Sequence, residues 1–193
     1  MDFSEPLGLT IDEVGRLSPA TSTVVRRLSD MRGMYADHAA ESRLIDAGDA
    51  LVYEVFQWDV PPVIGELFVC TTILQPGRVG DEYFMTKGHF HQCRDRGEVY
   101  YGLSGRGSVL MMKDDRVEVV PIGARQVAYV PPFWAHRTAN TGAEPLVFLA
   151  VYPGDAGHDY GSIETSGFGG LLVDRDGVPT LIGDNRQPQE AKR

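Results

Sequence analysis

Hydrophobic and polar residues alternate in short runs over most of the chain, from residue 51 to residue 182. The runs are rich in β-branched and aromatic residues, and Gly, Pro or Asp separates each from the next, which is typical of strands joined by turns. Strands are predicted at residues 51–60, 67–75, 82–86, 98–103, 108–113, 116–121, 126–130 and 146–152. A last pair at 171–174 and 180–182 flanks Asp176-Gly177 and predicts a hairpin. Because no helical pattern separates these strands, the sequence predicts an all-β antiparallel sandwich or barrel.

The two ends of the chain lack this pattern. Residues 1–50 have little strand character and predict an N-terminal arm with one or two short helices, at 26–31 and 37–47. Residues 183–193 are polar and predict a frayed tail. Since no repeat or linker interrupts the chain, a single domain over residues 1–193 is expected, with its barrel at 51–182.

Composition and charge narrow the class of protein. The chain has 193 residues, of which 42% are hydrophobic, enough to bury a core. Its formal net charge of −9 argues against a nucleic-acid partner, which requires a basic face. Two cysteines are too few for a disulfide framework. We find no signal peptide and no apolar run long enough to span a membrane, so a cytoplasmic protein is expected.

Histidines concentrate in the later part of the chain and suggest a metal site. On an extended strand His89 and His91 would point to the same side. After a charged turn near Asp95, the chain is expected to return as a strand that begins at Glu98, with its carboxylate facing the same interior. A later β-run ends in a rigid turn and a further histidine, His136.

Three imidazoles and one carboxylate form a ligand set that suits Fe²⁺, Mn²⁺, Ni²⁺ or Zn²⁺. Four protein ligands on a metal that prefers six leave room for water or substrate, as in a catalytic site. Each histidine alone is a weak signal, because single histidines are more often structural. The combination of the His-x-His pair, Glu98, and His136 with Asn140 behind it is much more specific.

These motifs resemble those of the cupin superfamily, with two departures. Six residues separate His91 from Glu98, more than in ordinary cupins, and Phe133 stands where a glycine is usual. Both departures match the cupin-type glucose-6-phosphate isomerases, the archaeal-type enzymes. The resemblance spans about residues 20 to 168 and is carried chiefly by segments 86–91, 98–103, 130–138 and 152–161, with further likeness at 25–31, 52–55 and 71–72.

The resemblance implies a single cupin barrel, of the jelly-roll or double-stranded β-helix type, with minor helices. It implies interconversion of glucose 6-phosphate and fructose 6-phosphate, a step of glycolysis and gluconeogenesis. The metal ligands would be His89, His91, Glu98 and His136, the same four that the residue chemistry selects. One divalent metal per subunit is expected, Fe²⁺ being favoured, with Mn²⁺, Ni²⁺ or Zn²⁺ as alternatives. A homodimer is also implied.

An aldose–ketose isomerisation needs a carbonyl polariser, a group that moves hydrogen between C1 and C2, and a phosphate anchor. Glu98 is the base that the resemblance implies, but a carboxylate bound to a cation is a poor base. We therefore expect Glu98 to loosen from the metal when substrate binds, while a metal-assisted hydride shift stays open. The remaining residues expected at the site are the catalytic residue His136, the alternative proton carriers Tyr100, His158 and Tyr160, and the phosphate-binding residues Tyr53, Thr72, Thr86, Gly88 and Tyr152, with Tyr160 also expected to bind substrate.

Two other functions fit the same ligand set. Three histidines and one glutamate on a cupin barrel also serve O₂-dependent oxygenases, and a cupin without activity could bind a sugar phosphate as a sensor. The Thr and Tyr hydroxyls expected around the metal suit a phosphate better than an aromatic or thiol substrate. No DNA-binding extension accompanies the barrel, which weakens the sensor interpretation.

Overall fold

The structure is a computed structural model and describes residues 4–114 and 116–183. The predicted tail at 183–193 therefore lies outside the described residues, apart from Gly183. The strands are β1 (Thr10–Ile11), β2 (Leu17–Ser18), β3 (Ser22–Arg27), β4 (Leu51–Trp58), β5 (Leu67–Leu74), β6 (Arg78–Val79), β7 (Glu82–Tyr83), β8 (Glu98–Ser104), β9 (Arg106–Lys113), β10 (Arg116–Gly123), β11 (Val127–Val130), β12 (Ala135–Asn140), β13 (Leu146–Pro153), β14 (Gly170–Arg175) and β15 (Val178–Gly183). The helices are a 3₁₀ turn (Leu28–Met31), α1 (His38–Asp46) and α2 (Gly161–Ser166).

The described residues form four antiparallel sheets. The largest has the strand order β11-β8-β13-β5-β4-β3, and a three-stranded sheet has the order β10-β9-β12. A four-stranded sheet, β15-β14-β7-β6, and the small β1-β2 pair complete the set. One hydrophobic cluster includes Tyr100 and Phe148 from the six-stranded sheet and Leu110 and Met111 from the three-stranded sheet. The predicted all-β fold of antiparallel sheets is confirmed.

Strand alternation determines which side chains enter the barrel. In β8, Glu98, Tyr100 and Gly102 are buried, whereas Val99 and Tyr101 between them are exposed. This is the period of two expected when one face of a strand packs on a core. The barrel interior is therefore lined by Glu98 and Tyr100 together.

The prediction that residues 1–50 have little strand character was wrong. Strand β3 pairs along its length with β4 as the outer strand of the six-stranded sheet, and β1 pairs with β2. The two short helices are present as the 3₁₀ turn and α1, but Arg26 and Arg27, which were predicted in the first helix, belong to β3. Leu28, Met31 and Tyr35 are fully buried in the main core, so this segment packs against the barrel as part of the same core.

Two predictions in the central region need correction. The strand expected at 82–86 ends at Tyr83, and the following residues make only isolated bridges, such as Met85 with Ala139. Strand β12 was not predicted.

Among the described residues, no helix is long and apolar enough to cross a membrane.

Candidate metal centre

The proposed ligands come from three pieces of chain that meet between the six-stranded and the three-stranded sheets. Glu98 is the first residue of β8, and His136 is the second residue of β12. His89 and His91 lie in the connection between β7 and β8. The main chains of His89 and His136 exchange two hydrogen bonds, with N···O distances of 3.1 and 3.0 Å. This bridge holds the connection against β12 and brings the two imidazoles to the same place.

Gly88 allows this close approach. Its φ of +78° lies in the left-handed region that L side chains rarely adopt. A Cβ at this position would lie 2.9 Å from Cβ of Arg137 and 3.4 Å from the His136 carbonyl oxygen. The regular strand expected around His89 is therefore replaced by a left-handed residue, Gly88, followed by two isolated β-bridges, at His89 and Phe90.

The four ligand residues converge on one point. One donor atom from each of His89, His91, Glu98 and His136 lies within 4.8 Å of all the others. Glu98 Oε2 is 2.9 Å from His136 Nε2 and 3.2 Å from His91 Nε2. Three of the residues are buried, and His89 is half-buried, so the cluster is open on the His89 side.

The tautomers of two of these histidines are set by the main chain. His91 Nδ1 lies 3.0 Å from the Arg96 carbonyl oxygen, and His136 Nδ1 lies 3.3 Å from the Trp134 carbonyl oxygen. In a neutral imidazole each Nδ1–H therefore donates to a carbonyl, and each Nε2 presents a lone pair. Metal-binding histidines are typically oriented in this way.

This arrangement fits a metal ion better than it fits an empty pocket. Two Nε2 lone pairs would face the Glu98 carboxylate at about 3 Å, which places acceptors against acceptors. His89 Nε2 and His136 Nε2 are buried without a hydrogen-bond partner, and such groups are costly unless something satisfies them. A divalent cation between the four donors would satisfy all of them.

The pKa shifts of the metal-free site agree with cation binding. Burial alone would raise the pKa of the Glu98 carboxyl, but the His136 and His91 imidazoles outweigh it and lower this pKa to about 2. Burial, followed by the neighbouring His136, His158 and His91, lowers the pKa of His89 well below its usual range. An ionised carboxylate and a neutral imidazole are the forms that ligate metals.

An ion pair supports the loop between His91 and Glu98. The Arg96 guanidinium makes two hydrogen bonds with the Asp155 carboxylate, from Nη2 at 2.6 Å and from Nε at 3.0 Å. Because the carbonyl of the same Arg96 accepts from His91, this pair fixes the position of a ligand from outside the cluster. Sequence reasoning assigned no role to Asp155, although it lies within segment 152–161 of the resemblance.

Aromatic side chains form the wall on the buried side of the cluster. The Tyr100 ring stacks on Phe148 with centroids 5.0 Å apart and meets the His136 ring edge-on at 6.0 Å. The Tyr152 ring lies 5.7 Å from that of His91. Burial raises the pKa of both tyrosine hydroxyls, which therefore stay protonated and can donate hydrogen bonds.

On the open side, His158 and Tyr160 lie against the half-buried ligand. The His158 ring meets the His89 ring edge-on with centroids 4.4 Å apart, and it stacks on Tyr160 at 5.7 Å. Burial lowers the pKa of His158, so its imidazole is neutral at pH 7. Tyr160 is 39% exposed, which places it where the cluster opens to solvent.

The residues expected to bind phosphate lie above the same face of the six-stranded sheet. Thr72 of β5 is directly opposite Phe148 of β13, the residue that stacks on Tyr100, so its side chain points inward. Tyr53 of β4 pairs with Leu74, two residues further along β5, and shares that face.

Thr86 and Gly88 stand next to the ligands in the connection between β7 and β8. Thr86 Oγ1 accepts a hydrogen bond of 3.0 Å from the Thr138 N–H and keeps its own proton free to donate. The Gly88 N–H makes no main-chain hydrogen bond with the described residues. Hydroxyls and a free N–H are the donors that an anion requires.

A cationic residue that the sequence did not assign shares this interior. Arg26 of β3 is directly opposite Tyr53 of β4. Its neighbours Val25 and Arg27 are exposed, whereas Arg26 is half-buried. The burial of β3 has a period of two, but its sequence, Ser-Thr-Val-Val-Arg-Arg, does not alternate between apolar and polar residues, and the strand was not predicted.

Comparison with known proteins is consistent with this site. A family model described as Glucose-6-phosphate isomerase (GPI) matches residues 25–181. The glucose-6-phosphate isomerase of Thermococcus kodakarensis is 46% identical over 187 residues, covering 96% of this chain and 98% of that protein. The enzyme of the same name from Pyrococcus abyssi is 43% identical over 185 residues, 95% of this chain and 98% of its own length.

Among solved structures, the Lactobacillus farciminis oxalate decarboxylase formate complex superposes with a TM-score of 0.45 at 24% identity, covering 56% of this chain and 30% of that one. The two glucose-6-phosphate isomerases are far more similar to this chain, and the similarity extends over nearly the full length of both proteins. The chain therefore belongs to the glucose-6-phosphate isomerase (GPI) family.

Proposed function

We propose that this protein is a metal-dependent isomerase that interconverts glucose 6-phosphate and fructose 6-phosphate. The observation that carries the proposal is the convergence of His89, His91, Glu98 and His136 within 4.8 Å, in a chain whose named relatives are glucose-6-phosphate isomerases. A divalent metal held there would supply a Lewis acid that stabilises negative charge on the O1/O2 side of the sugar. Fe²⁺ is the proposed native metal, and Mn²⁺, Ni²⁺ and Zn²⁺ are the alternatives for a ligand set of this kind.

The reaction moves one hydrogen between C2 and C1 and one proton between the two oxygens, with no net change in composition. If Glu98 is the base, it takes the proton from C2 of the aldose and returns it to C1. Its pKa of about 2 makes it a weak base while two imidazoles contact it. Glu98 must therefore move away from these partners before it can accept a proton.

His158 is the alternative base. It is neutral at pH 7, since burial lowers its pKa, and it is not one of the four ligands, so it needs no release. Its ring lies against that of His89 on the open side of the cluster. Tyr100 and Tyr160 keep their protons because burial raises their pKa, and they suit proton donation to a developing oxyanion. In a hydride shift, none of these residues would take the carbon-bound hydrogen.

The structure of a complex with fructose 6-phosphate separates these routes. A Glu98 carboxylate that moves away from the His91 and His136 imidazoles supports the Glu98 route. A carboxylate that stays in place contradicts it and favours His158 or a hydride shift. Exchange of the C1 or C2 hydrogen with D₂O during turnover would in turn distinguish proton transfer from hydride transfer.

The decisive experiment for the function is a coupled assay. Protein loaded with Fe²⁺, Mn²⁺, Ni²⁺ or Zn²⁺ is incubated with fructose 6-phosphate, and glucose 6-phosphate is followed through an NADP-linked dehydrogenase. Turnover that a chelator abolishes and metal restores supports the proposal. No turnover with any of the four metals would exclude it and favour a sugar-phosphate sensor, while O₂ uptake instead would favour an oxygenase.

We further propose that the chain acts as a cytoplasmic homodimer and that residues 1–193 form one cupin domain. The single hydrophobic cluster that joins the N-terminal segment to the barrel supports the second proposal. An outward-facing apolar surface of Val99, Tyr101, Val127 and Tyr129 on β8 and β11, each more than a third exposed, supports the first. Light scattering of the purified protein tests the dimer.

A further inference from the structure

We propose that Arg26 is the cationic anchor for the phosphate group of the substrate. The inference rests on the proposed function and adds a residue to the binding site described above. The ligand it would recognise is a phosphate monoester dianion, held by the Arg26 guanidinium together with the hydroxyls of Tyr53 and Thr72.

The register of the six-stranded sheet places Arg26 toward the barrel interior. In β3, Ser22, Val24 and Arg26 are half-buried, and the residues between them are exposed. Arg26 is directly opposite Tyr53, so the two side chains lie on the same face of the sheet. That face continues across β4 and β5 to Thr72, and from there to the wall of the metal cluster.

The head group of Arg26 lies among the hydroxyls of the site. It is beside the Tyr53 hydroxyl and within electrostatic range of Tyr160. The Tyr53 hydroxyl also faces the main chain of Lys87, next to Thr86 and Gly88. A phosphate that contacts these groups would therefore also be within reach of the guanidinium.

Arg26 has unused donor capacity at this position. Its Nε is buried and has no hydrogen-bond partner, although a buried donor normally has one. No carboxylate among the described residues forms a salt bridge with it, in contrast to the arginines at positions 78, 94, 96, 116 and 175. A phosphate oxygen would supply the missing acceptor, and an arginine fork can contact two such oxygens at once.

Other cations near this region are already occupied or point away. Lys87 Nζ lies 3.5 Å from Glu164 Oε1. Arg27, the next residue after Arg26, is exposed and donates from Nη1 to the Asp49 carbonyl oxygen at 2.9 Å. Hydroxyls and an N–H can donate to a dianion without neutralising it, and a partly buried dianion needs a counter-charge. Arg26 is the residue placed to provide one.

The test compares Arg26→Gln and Arg26→Lys with the matched control Arg27→Gln, which removes the same charge from the neighbouring residue on the opposite face. We expect Arg26→Gln to raise KM for fructose 6-phosphate by about 10- to 100-fold, the range of a charge-assisted hydrogen bond, with kcat within about threefold of wild type. Arg26→Lys should recover part of the loss. We expect inorganic phosphate to inhibit the wild type competitively and to lose potency against Arg26→Gln by a similar factor.

Calorimetry with fructose 6-phosphate and metal-free protein gives an independent readout of phosphate binding. Wild-type protein that neither turns over nor binds the sugar phosphate contradicts both the proposed function and the anchor. Wild-type turnover with an Arg26→Gln variant of unchanged KM and phosphate inhibition overturns the anchor alone. An Arg26→Gln variant that loses kcat and thermal stability while its KM stays constant also overturns the anchor. Arg26 would then only hold Tyr53 in position. If Arg26→Gln does not fold, an Arg26→Lys variant with unchanged KM and unchanged phosphate inhibition gives the same refutation.

Discussion

Replacement of Gly88 by alanine tests whether the close approach at this residue builds the metal site. The added Cβ would meet Cβ of Arg137 at 2.9 Å, at a φ of +78°. A left-handed conformation costs an L residue about 1–2 kcal/mol, and crowding of this kind adds about 1–3 kcal/mol. We therefore expect Gly88→Ala to lower the free energy of unfolding by about 2–5 kcal/mol.

Gly177→Ala is the matched control. Gly177 has a φ of +81°, and a Cβ there would meet nothing within 4 Å. This variant carries the conformational cost without the clash, so the expected loss is about 1–2 kcal/mol. In a chain of this size each kcal/mol shifts the melting temperature by about 2–4 °C. Urea titration and thermal melting give the stability loss of each variant. The difference between the two losses is the cost of the clash at Gly88.

The two variants should also differ in metal affinity. Gly88 precedes His89, whose main chain exchanges hydrogen bonds with His136, so a shift at Gly88 moves one ligand relative to another. Competition with a chelator should show weaker metal binding by Gly88→Ala and unchanged binding by Gly177→Ala. Equal stability and equal metal affinity of the two variants would refute the role assigned to Gly88.

Three further perturbations address the ligands and their support. His89→Ala should lose metal and turnover yet keep its melting temperature in the metal-free state, because His89 Nε2 has no protein partner to leave behind; a variant that still binds metal would contradict the four-ligand site. Asp155→Asn should weaken metal binding by about 10-fold or more, the range for groups that orient a ligand, because it loosens Arg96 and with it the carbonyl that His91 contacts. The third concerns pH. Burial would lower the pKa of His91, but the hydrogen bond that its protonated imidazole donates to the Glu98 carboxylate outweighs burial and raises this pKa. Below that pKa, a metal ion must displace a proton from His91. Metal affinity should then fall as the pH is lowered through that pKa, and calorimetry in buffers of different ionisation enthalpy should detect the released proton; a pH-independent affinity between pH 5 and 8 would exclude this coupling.

The ligand cluster could be predicted because three of its four residues lie close together in the sequence. His89 and His91 share one short segment, and Glu98 begins a strand in which buried and exposed residues alternate. The structure brings these residues and His136 together as that spacing suggested. Prediction was easier for the chemistry than for the local structure, since the connection that carries His89 is held by bridges around Gly88 and is not a strand.

Strand β12 was missed because its sequence has no hydrophobic period. Ala135–Asn140 reads Ala-His-Arg-Thr-Ala-Asn, and all six residues are buried. One face presents His136 to the metal cluster, and the other packs Arg137 over the Phe168 ring at 4.3 Å. A strand whose polar and apolar residues are all buried loses the alternation on which sequence prediction depends. Strand β3 was missed because its sequence, Ser-Thr-Val-Val-Arg-Arg, does not alternate, although its burial does.

The net charge of −9 argues against a nucleic-acid partner but says little about the ligand. Within the site, a divalent metal and the Glu98 carboxylate would together carry one positive charge. Arg26 adds a second, which matches a phosphate monoester dianion. A neutral complex of this kind needs no positive field from the protein surface, and it explains how an acidic protein can bind an anionic substrate. The net charge of the protein therefore does not predict the charge of the substrate. The counter-charges for the phosphate, the metal and Arg26, lie inside the barrel, where hydroxyls and aromatic rings separate them from solvent.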